Sequence, residues 1–235
     1  MIRRILLTLL LLAPLALAGA VFSGFLRIPP EWDPRAPLDF RAEPNLVTPW
    51  KMVRLSWQPD ACFSAFEASG ITPQRLPDQP EANGCALVNT MRLQGESAVL
   101  SPARPVVTCP VAAAWLMFER HALQPAAEAH FNSRVTTVRH LGSYACRNVY
   151  GRASGRRSQH ATANAIDIAG FTLANGREVR LVRDWGEAGD GPAAAFLRDA
   201  RDGACRYFGA VLGPDYNAAH RDHFHMEAGR WQRCS

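Results

Sequence analysis

Hydrophobic residues are distributed along this chain in three ways, and each predicts a different kind of structure. At the N-terminus they form a block: Ile5 to Leu26 is apolar apart from Thr8, Pro14, Ser23 and small residues. Farther on they recur at helical spacing. Cys62, Phe63 and Phe66 mark a helix within Pro59 to Ser69, followed by a loop through Pro73, Pro77 and Pro80. Pro110 suits the first turn of a helix carrying Trp115, Phe118 and Ala122, and Pro125 opens a second helical turn ending near Phe131. Phe196, Ala200, Ala204 and Phe208 lie opposite Arg198, Asp202 and Arg206, predicting an amphipathic helix from Pro192 to Phe208, stopped by Gly209 and packed across a sheet.

The third pattern belongs to strands. Val135 to Leu141 reads as one, and the apolar run Ala165-Ile166-Asp167-Ile168-Ala169 reads as another, buried one. Asn175-Gly176 predicts a two-residue hairpin turn into Glu178 to Val182. The turn Gly213-Pro214-Asp215-Tyr216-Asn217 delivers a final strand, Asp222-His223-Phe224-His225-Met226. These elements predict an α+β fold, a small antiparallel sheet with packed helices.

One residue breaks its pattern. A lone carboxylate in a half-buried strand is strongly desolvated, so Asp167 needs a charged partner, hydrogen-bond donors or a metal. His160 lies seven residues earlier, and strand alternation puts His223 and His225 on one face. Histidines converging on one carboxylate suggest zinc. His121 and His130 fall on the helices and are expected to be surface or structural residues.

The N-terminal block reads as an export signal. Ala16-Leu17-Ala18 before Gly19 suits cleavage by signal peptidase. Retention as an anchor is favoured, because Val21, Phe22, Phe25 and Leu26 carry the apolar run past that site and Arg3 and Arg4 hold the N-terminus inside. At about 1.5 Å per residue the run would span roughly 33 Å, against a hydrocarbon core of about 30 Å. Residues 1–28 are thus a signal peptide or signal anchor. Residues 29–50, rich in proline and acids, read as a stiff, extended spacer, and residues 51–235 as one domain.

The chain has 235 residues and a formal net charge of +5, nearly all its basic excess being arginine, since Lys51 is the sole lysine. Without the leader the charge falls to about +3, too weak to indicate nucleic acid. The cluster Arg152, Arg156, Arg157 is expected to be solvated. No nucleotide loop, serine nucleophile elbow or transmembrane bundle is present.

Six cysteines, Cys62, Cys85, Cys109, Cys146, Cys205 and Cys234, include no Cys-x-x-Cys pair, which disfavours zinc-thiolate and thioredoxin-like chemistry. An even number in an exported chain points to disulfides, and this outweighs a nucleophilic role for Cys146. Of fifteen formal pairings, the sequential one is expected: 62 with 85, 109 with 146, and 205 with 234.

The segment Ser158-x-His160-x-x-Ala163-x-Ala165-x-Asp167 resembles the metal motif of zinc D-alanyl-D-alanine peptidases, which hydrolyse bacterial cell-wall peptides. With Tyr144-Ala-Cys146-Arg147 and Gly213-Pro-Asp-Tyr-Asn217-Ala-Ala-His220-Arg-Asp-His223-Phe-His225, the wording is similar to the bacterial extensin-like C-terminal domain family, over roughly Cys62 to Cys234. The resemblance implies the zinc DD-peptidase (hedgehog-like) fold, with Zn2+ held by His160, Asp167 and His225 and a water in the fourth position. Asp222 and His223 compete as general base, at the offsets used by carboxypeptidase-type and endopeptidase-type relatives respectively. Strand alternation favours His223, because Asp222 should point away unless the strand begins with a bend.

Arg147 aligns with an arginine that contacts substrate or stabilises an oxyanion. Ser158 is either a hydrogen-bonding group of the site that contacts substrate or a turn residue, and Asn217 and His220 are candidates for orienting the ligands. Ala163 stands where these peptidases have glycine, which implies either that no positive dihedral angle is needed or that substrate approaches less closely. The acid at 222 is one carbon shorter than the usual glutamate.

The implied activity is zinc-dependent hydrolysis of amide bonds in peptidoglycan peptides. The implied location is the periplasm or cell envelope, with the chain tethered to the inner membrane through its N-terminal segment or secreted. A non-catalytic zinc-containing module that binds cell-wall polymer is the alternative, and a purely structural zinc a third reading.

Overall fold

The computed structural model describes residues 12–17, 19–80, 83–186, 191–229 and 232–235. The start of the apolar N-terminal run, with Arg3 and Arg4, lies outside these residues. Among the described residues no helix is long and apolar enough to cross a membrane. Residues 12–17 and 19–22 are helical and contribute nothing to the core.

Two N-terminal helices, α1 (Thr48–Leu55) and α2 (Pro59–Ala68), precede a small two-stranded sheet of β1 (Thr90–Arg92) and β3 (Val106–Thr108). The helix α3 (Cys109–Phe118) is buried at every position except Pro110. It runs through a π-helical turn, Glu119–Leu123, into α4 (Gln124–Phe131). The buried Glu119 carboxylate occupies this turn, accepting the backbone N–H groups of Glu96, Ser97 and Ala98, the Ser97 hydroxyl and the Trp115 indole N–H.

The main sheet is mixed, not purely antiparallel. Its centre, β4 (Val135–Gly142), β5 (Ala165–Leu173), β8 (Phe224–Glu227) and β7 (Ala210–Leu212), is antiparallel. Its margins, β2 (Val99–Ser101) on β4 and β9 (Arg233–Cys234) on β7, are parallel, and β6 (Glu178–Arg180) pairs with the far end of β5. A short helix, α5 (Leu181–Asp184), follows β6.

The amphipathic helix α6 (Pro192–Ala204) packs on α4 and on the sheet, with Phe196 edge-on to both Phe131 and Phe171 at 5.4 Å. It ends four residues before the expected Phe208, and Phe208 enters the core from the following turn. Ile166, Ile168, Phe171 and Leu173 of β5 all reach this core. Strict alternation cannot place both pairs on one face. The register shift opposite Arg139 and His140 puts an extra residue into β5 near Ala169 and resets the alternation, which leaves Asp167 on the other face.

Several expectations are corrected. The connection after β5 is not the expected two-residue turn, since four residues, 174–177, separate β5 from β6. Gly176 alone takes positive φ (+84°), its N–H bonded to Leu173. Residues 29–50 are not an extended spacer. They fold back through turns, with Leu38 and Phe40 buried in the core and the Phe40 N–H donated to the Ser69 hydroxyl. Two apolar anchors in a proline-rich stretch suffice to dock it. His121 and His130 are structural, as expected: His121 donates to the Phe40 carbonyl, and His130 pairs with Asp199 at 2.6 Å.

The disulfides are Cys62–Cys109, Cys85–Cys146 and Cys205–Cys234, so only the last of the three sequential pairs is present. Cys62 on α2 meets Cys109 at the start of α3, both fully buried. The observed loops span 47 and 61 residues, at most about double those of the sequential pairs, and doubling a closed loop costs only about 0.6 kcal/mol of chain entropy, so packing overrides proximity in sequence. With Cys146 bonded, its nucleophilic role is excluded. The Cys85–Cys146 bond holds the segment leading to Arg147. Replacing both cysteines by serine is expected to lower stability by about 2–5 kcal/mol, read as a drop in thermal midpoint under non-reducing conditions. An unchanged midpoint would contradict that role.

Candidate metal centre

Asp167 and His225 are direct cross-strand partners on β5 and β8, so their side chains project from the same face. His160 reaches them from a 3-10 turn, Gln159–Thr162, whose first N–H groups need a cap. Ser158 supplies it: its hydroxyl accepts the His160 backbone N–H at 3.3 Å. Ala163 closes the turn in the left-handed region, φ +54°. The alanine at this position therefore does not relieve the backbone of a positive dihedral angle, and it holds that conformation at a cost of roughly 1–2 kcal/mol. Asn164 clamps the junction, accepting from the Thr108 hydroxyl and donating to the Ala228 carbonyl.

His160 Nε2, Asp167 Oδ1 and His225 Nδ1 lie 3.2, 3.0 and 3.0 Å from one another. Bonds of about 2.0–2.1 Å at tetrahedral angles place zinc ligands roughly 3.3 Å apart, so these atoms are close to the required spacing. Both histidine tautomers are fixed from outside. The Ser143 carbonyl can only accept, so His160 Nδ1 carries the proton and Nε2 faces the cluster. The Glu227 carboxylate accepts from His225 Nε2 at 3.1 Å, which directs Nδ1 inward. Metal-binding histidines are oriented in this way by carbonyl and carboxylate partners.

Burial pushes the Asp167 carboxyl up, but in the metal-free cluster hydrogen bonding with His160 and His225, and the positive charges that His160 and His223 carry when protonated, outweigh it and hold the group well below the ordinary carboxylate value. Burial likewise opposes charge on His225, yet hydrogen bonding to Asp167 and Glu227 carries it up to about 9. The cluster is therefore an anionic pocket that holds a proton where a cation fits.

His223 precedes β8 and borders the same pocket, its Nε2 3.6 Å from Asp167 Oδ1. Asp222 points aside and accepts from His223 Nδ1 at 2.9 Å. The two residues that compete as base thus form a pair, in which the carboxylate orients the imidazole. His220 lies beside them, its ring centroid 5.3 Å from that of His223 and 5.8 Å from that of His225. Burial first, then the neighbouring histidine charges, push His220 down to about 4, so it is neutral at pH 7. Its Nδ1 bonds the Asn217 amide oxygen at 2.8 Å, and Asn217 donates to the Tyr150 hydroxyl at 3.0 Å.

Arg147 is not brought onto the cluster. Its carbonyl accepts the Ser158 N–H beside the His160 turn, while its exposed guanidinium has no hydrogen bond or ion pair among the described residues. The arginines of the basic cluster, Arg152, Arg156 and Arg157, are exposed as expected, and Arg157 also donates to the Asn83 carbonyl. Glu227, Ser143, Asn164 and Tyr150 were not anticipated from sequence. Glu227 alone had a readable signal, since it lies two residues beyond His225 on the same strand face. A groove of about 1210 Å³ lies elsewhere, between Glu43, Thr48, Arg120, His121 and Tyr207, and is not lined by His160, His220, His223 or His225.

The fold and this centre define an α+β domain with a buried His-Asp-His cluster of metal-ligand geometry. The family model described as extensin-like protein C-terminus matches residues 60–235, and the chain belongs to that family. No curated protein and no solved structure matches the chain.

Proposed function

We propose that this protein is a zinc-dependent hydrolase of amide bonds in peptidoglycan peptides, with the fold of the zinc D-alanyl-D-alanine peptidases. We place it in the periplasm, tethered by its N-terminal apolar segment. The observation that carries this reading is the cluster itself: three ligand atoms within 3.2 Å, two of them imidazole nitrogens whose lone pairs are turned inward by Ser143 and Glu227. His160, Asp167 and His225 would hold Zn2+, which when bound polarises a carbonyl and lowers the pKa of an adjacent water.

The remaining roles belong to side chains present in the fold. His223, its Nδ1–H donated to Asp222, offers Nε2 as the proton acceptor facing the pocket, and the same atom can return the proton to the leaving amine. The unpaired Arg147 guanidinium, on the segment beside the His160 turn, is available to a substrate carboxylate. Neutral His220 adds no charge to repel a bound cation. The test is incubation of the domain with peptidoglycan fragments, followed by mass spectrometry. New peptides that require zinc and His223 support the reading, and unaltered fragments contradict it.

A pH dependence follows from His225. Its folded value, about 9, lies above the ordinary 6.5. Protonated His225 therefore stabilises the metal-free fold fully below pH 6.5, and this contribution is lost as pH rises through 9. Metal binding must displace that proton. Zinc affinity is expected to strengthen about tenfold per pH unit up to about 9, with close to one proton released per metal. Calorimetry in buffers of different ionisation enthalpy measures this, and an affinity constant between pH 6 and 8 would refute it.

A further inference from the structure

We infer that the outward face of α1 is a membrane-interface surface that seats the domain on the bilayer beside its own N-terminal segment. An ordinary surface helix turns its large apolar side chains inward, and α1 does so with Leu55 and in part Met52, but it also buries polar side chains and leaves Trp50 outside. Here Thr48, Lys51 and Leu55 are the buried positions. The sole lysine points inward, its ammonium donating to the Pro30 carbonyl at 2.7 Å and the Pro37 carbonyl at 3.4 Å. Trp50 on the helix, and Leu46 and Trp57 in the turns before and after it, are 52%, 90% and 49% exposed. The two tryptophan rings meet edge-on, centroids 6.4 Å apart.

The neighbouring contacts say which segment runs beside this helix. Asn45 donates to the Glu31 carbonyl, and Arg54 donates to the carbonyls of Pro34 and Arg35. With Lys51 these bonds fasten residues 30–37 along α1, and Trp32 within that segment is 47% exposed. The apolar run ends at Leu26, so at most about 14 Å of extended chain separates it from Pro30. A helix held this close to a bilayer-inserted segment lies at the depth of the lipid headgroups, where tryptophan concentrates. The charges nearby are mixed, with Arg35 paired to Asp33, so apolar and indole contact carries the attachment.

The geometry rests on reading residues 5–26 as the tether, but the test does not. A chain beginning at Arg27 retains the whole core and all three disulfides, since the described residues before it contribute nothing to the core; among them Phe22 lies beneath Arg35. This chain is sedimented with vesicles of phosphatidylethanolamine and phosphatidylglycerol, beside the variant L46S/W50S, whose thermal midpoint checks its fold. The expected result is binding by the parent and at least tenfold weaker binding by the variant. A parent that stays in the supernatant, or a variant that pellets equally, overturns the proposal. So does a lipid-free dimer abolished by the same substitutions, which would assign the patch to a second copy. Failure of the tether is seen separately, as a full chain released from membranes by alkaline washing.

Discussion

Asp167→Asn is expected to yield a folded domain that purifies without zinc and without hydrolytic activity. The substitution keeps the shape of the side chain and removes the charge that offsets a bound cation. Losing a partner outside the ligand set typically costs 10- to 100-fold in metal affinity. Loss of a charged ligand from a three-residue set should exceed that range, whereas Glu227→Gln should stay within it, because Glu227 acts only through His225 Nε2. The metal-free fold also changes. With no carboxylate at 167 the raised His225 value loses its strongest support, so the variant's stability should depend less on pH between 6.5 and 9. Metal content by atomic emission and pH-dependent thermal melts measure both effects. Full zinc occupancy in Asp167→Asn would remove Asp167 from the ligand set.

His223→Ala separates turnover from metal retention. Its Nε2 lies 3.6 Å from Asp167, outside the tight 3.0–3.2 Å cluster, so zinc should remain at one equivalent. Removing a positioned general base costs about 10²- to 10⁴-fold in rate, and that loss should appear in kcat. Asp222→Asn should cost less, because it disturbs the tautomer of His223 while leaving the imidazole in place. If zinc were structural, with His223 as a fourth ligand, His223→Ala would instead lose metal and destabilise the fold. If the domain only binds wall polymer, parent and variant would bind fragments equally and neither would release product.

Much of this centre was legible because periodicity carries long-range information. A carboxylate in an apolar strand and the second histidine of a His-x-His pair, on another strand, each had one possible face, and the Asp167–His225 pairing joins those faces, with His223 just before that strand. The amphipathic pattern from Pro192 to Ala204 likewise became the helix that covers the sheet.

What stayed hidden depends on contacts between distant segments. The bulge near Ala169, which lets Asp167 face one way and Phe171 the other, arises from pairing with β4 and has no local signature. The crossed disulfides reflect how α2 and α3 pack, and the left-handed Ala163 reflects a turn held by Ser158 and Asn164. Phe40 is one aromatic residue among prolines, too sparse a pattern to forecast a docked segment. Asp222 and His223 appear as rivals in a linear reading because a pattern of alternation cannot express a hydrogen bond between adjacent side chains.

The most direct test of the central claim is metal analysis of the purified, disulfide-bonded domain, paired with mass spectrometry of peptidoglycan fragments incubated with the same preparation. One equivalent of zinc, absent from His160→Ala and Asp167→Asn, together with newly cleaved peptides, is the predicted result. Correctly folded protein that takes up no zinc would contradict the metal centre and the hydrolase built on it.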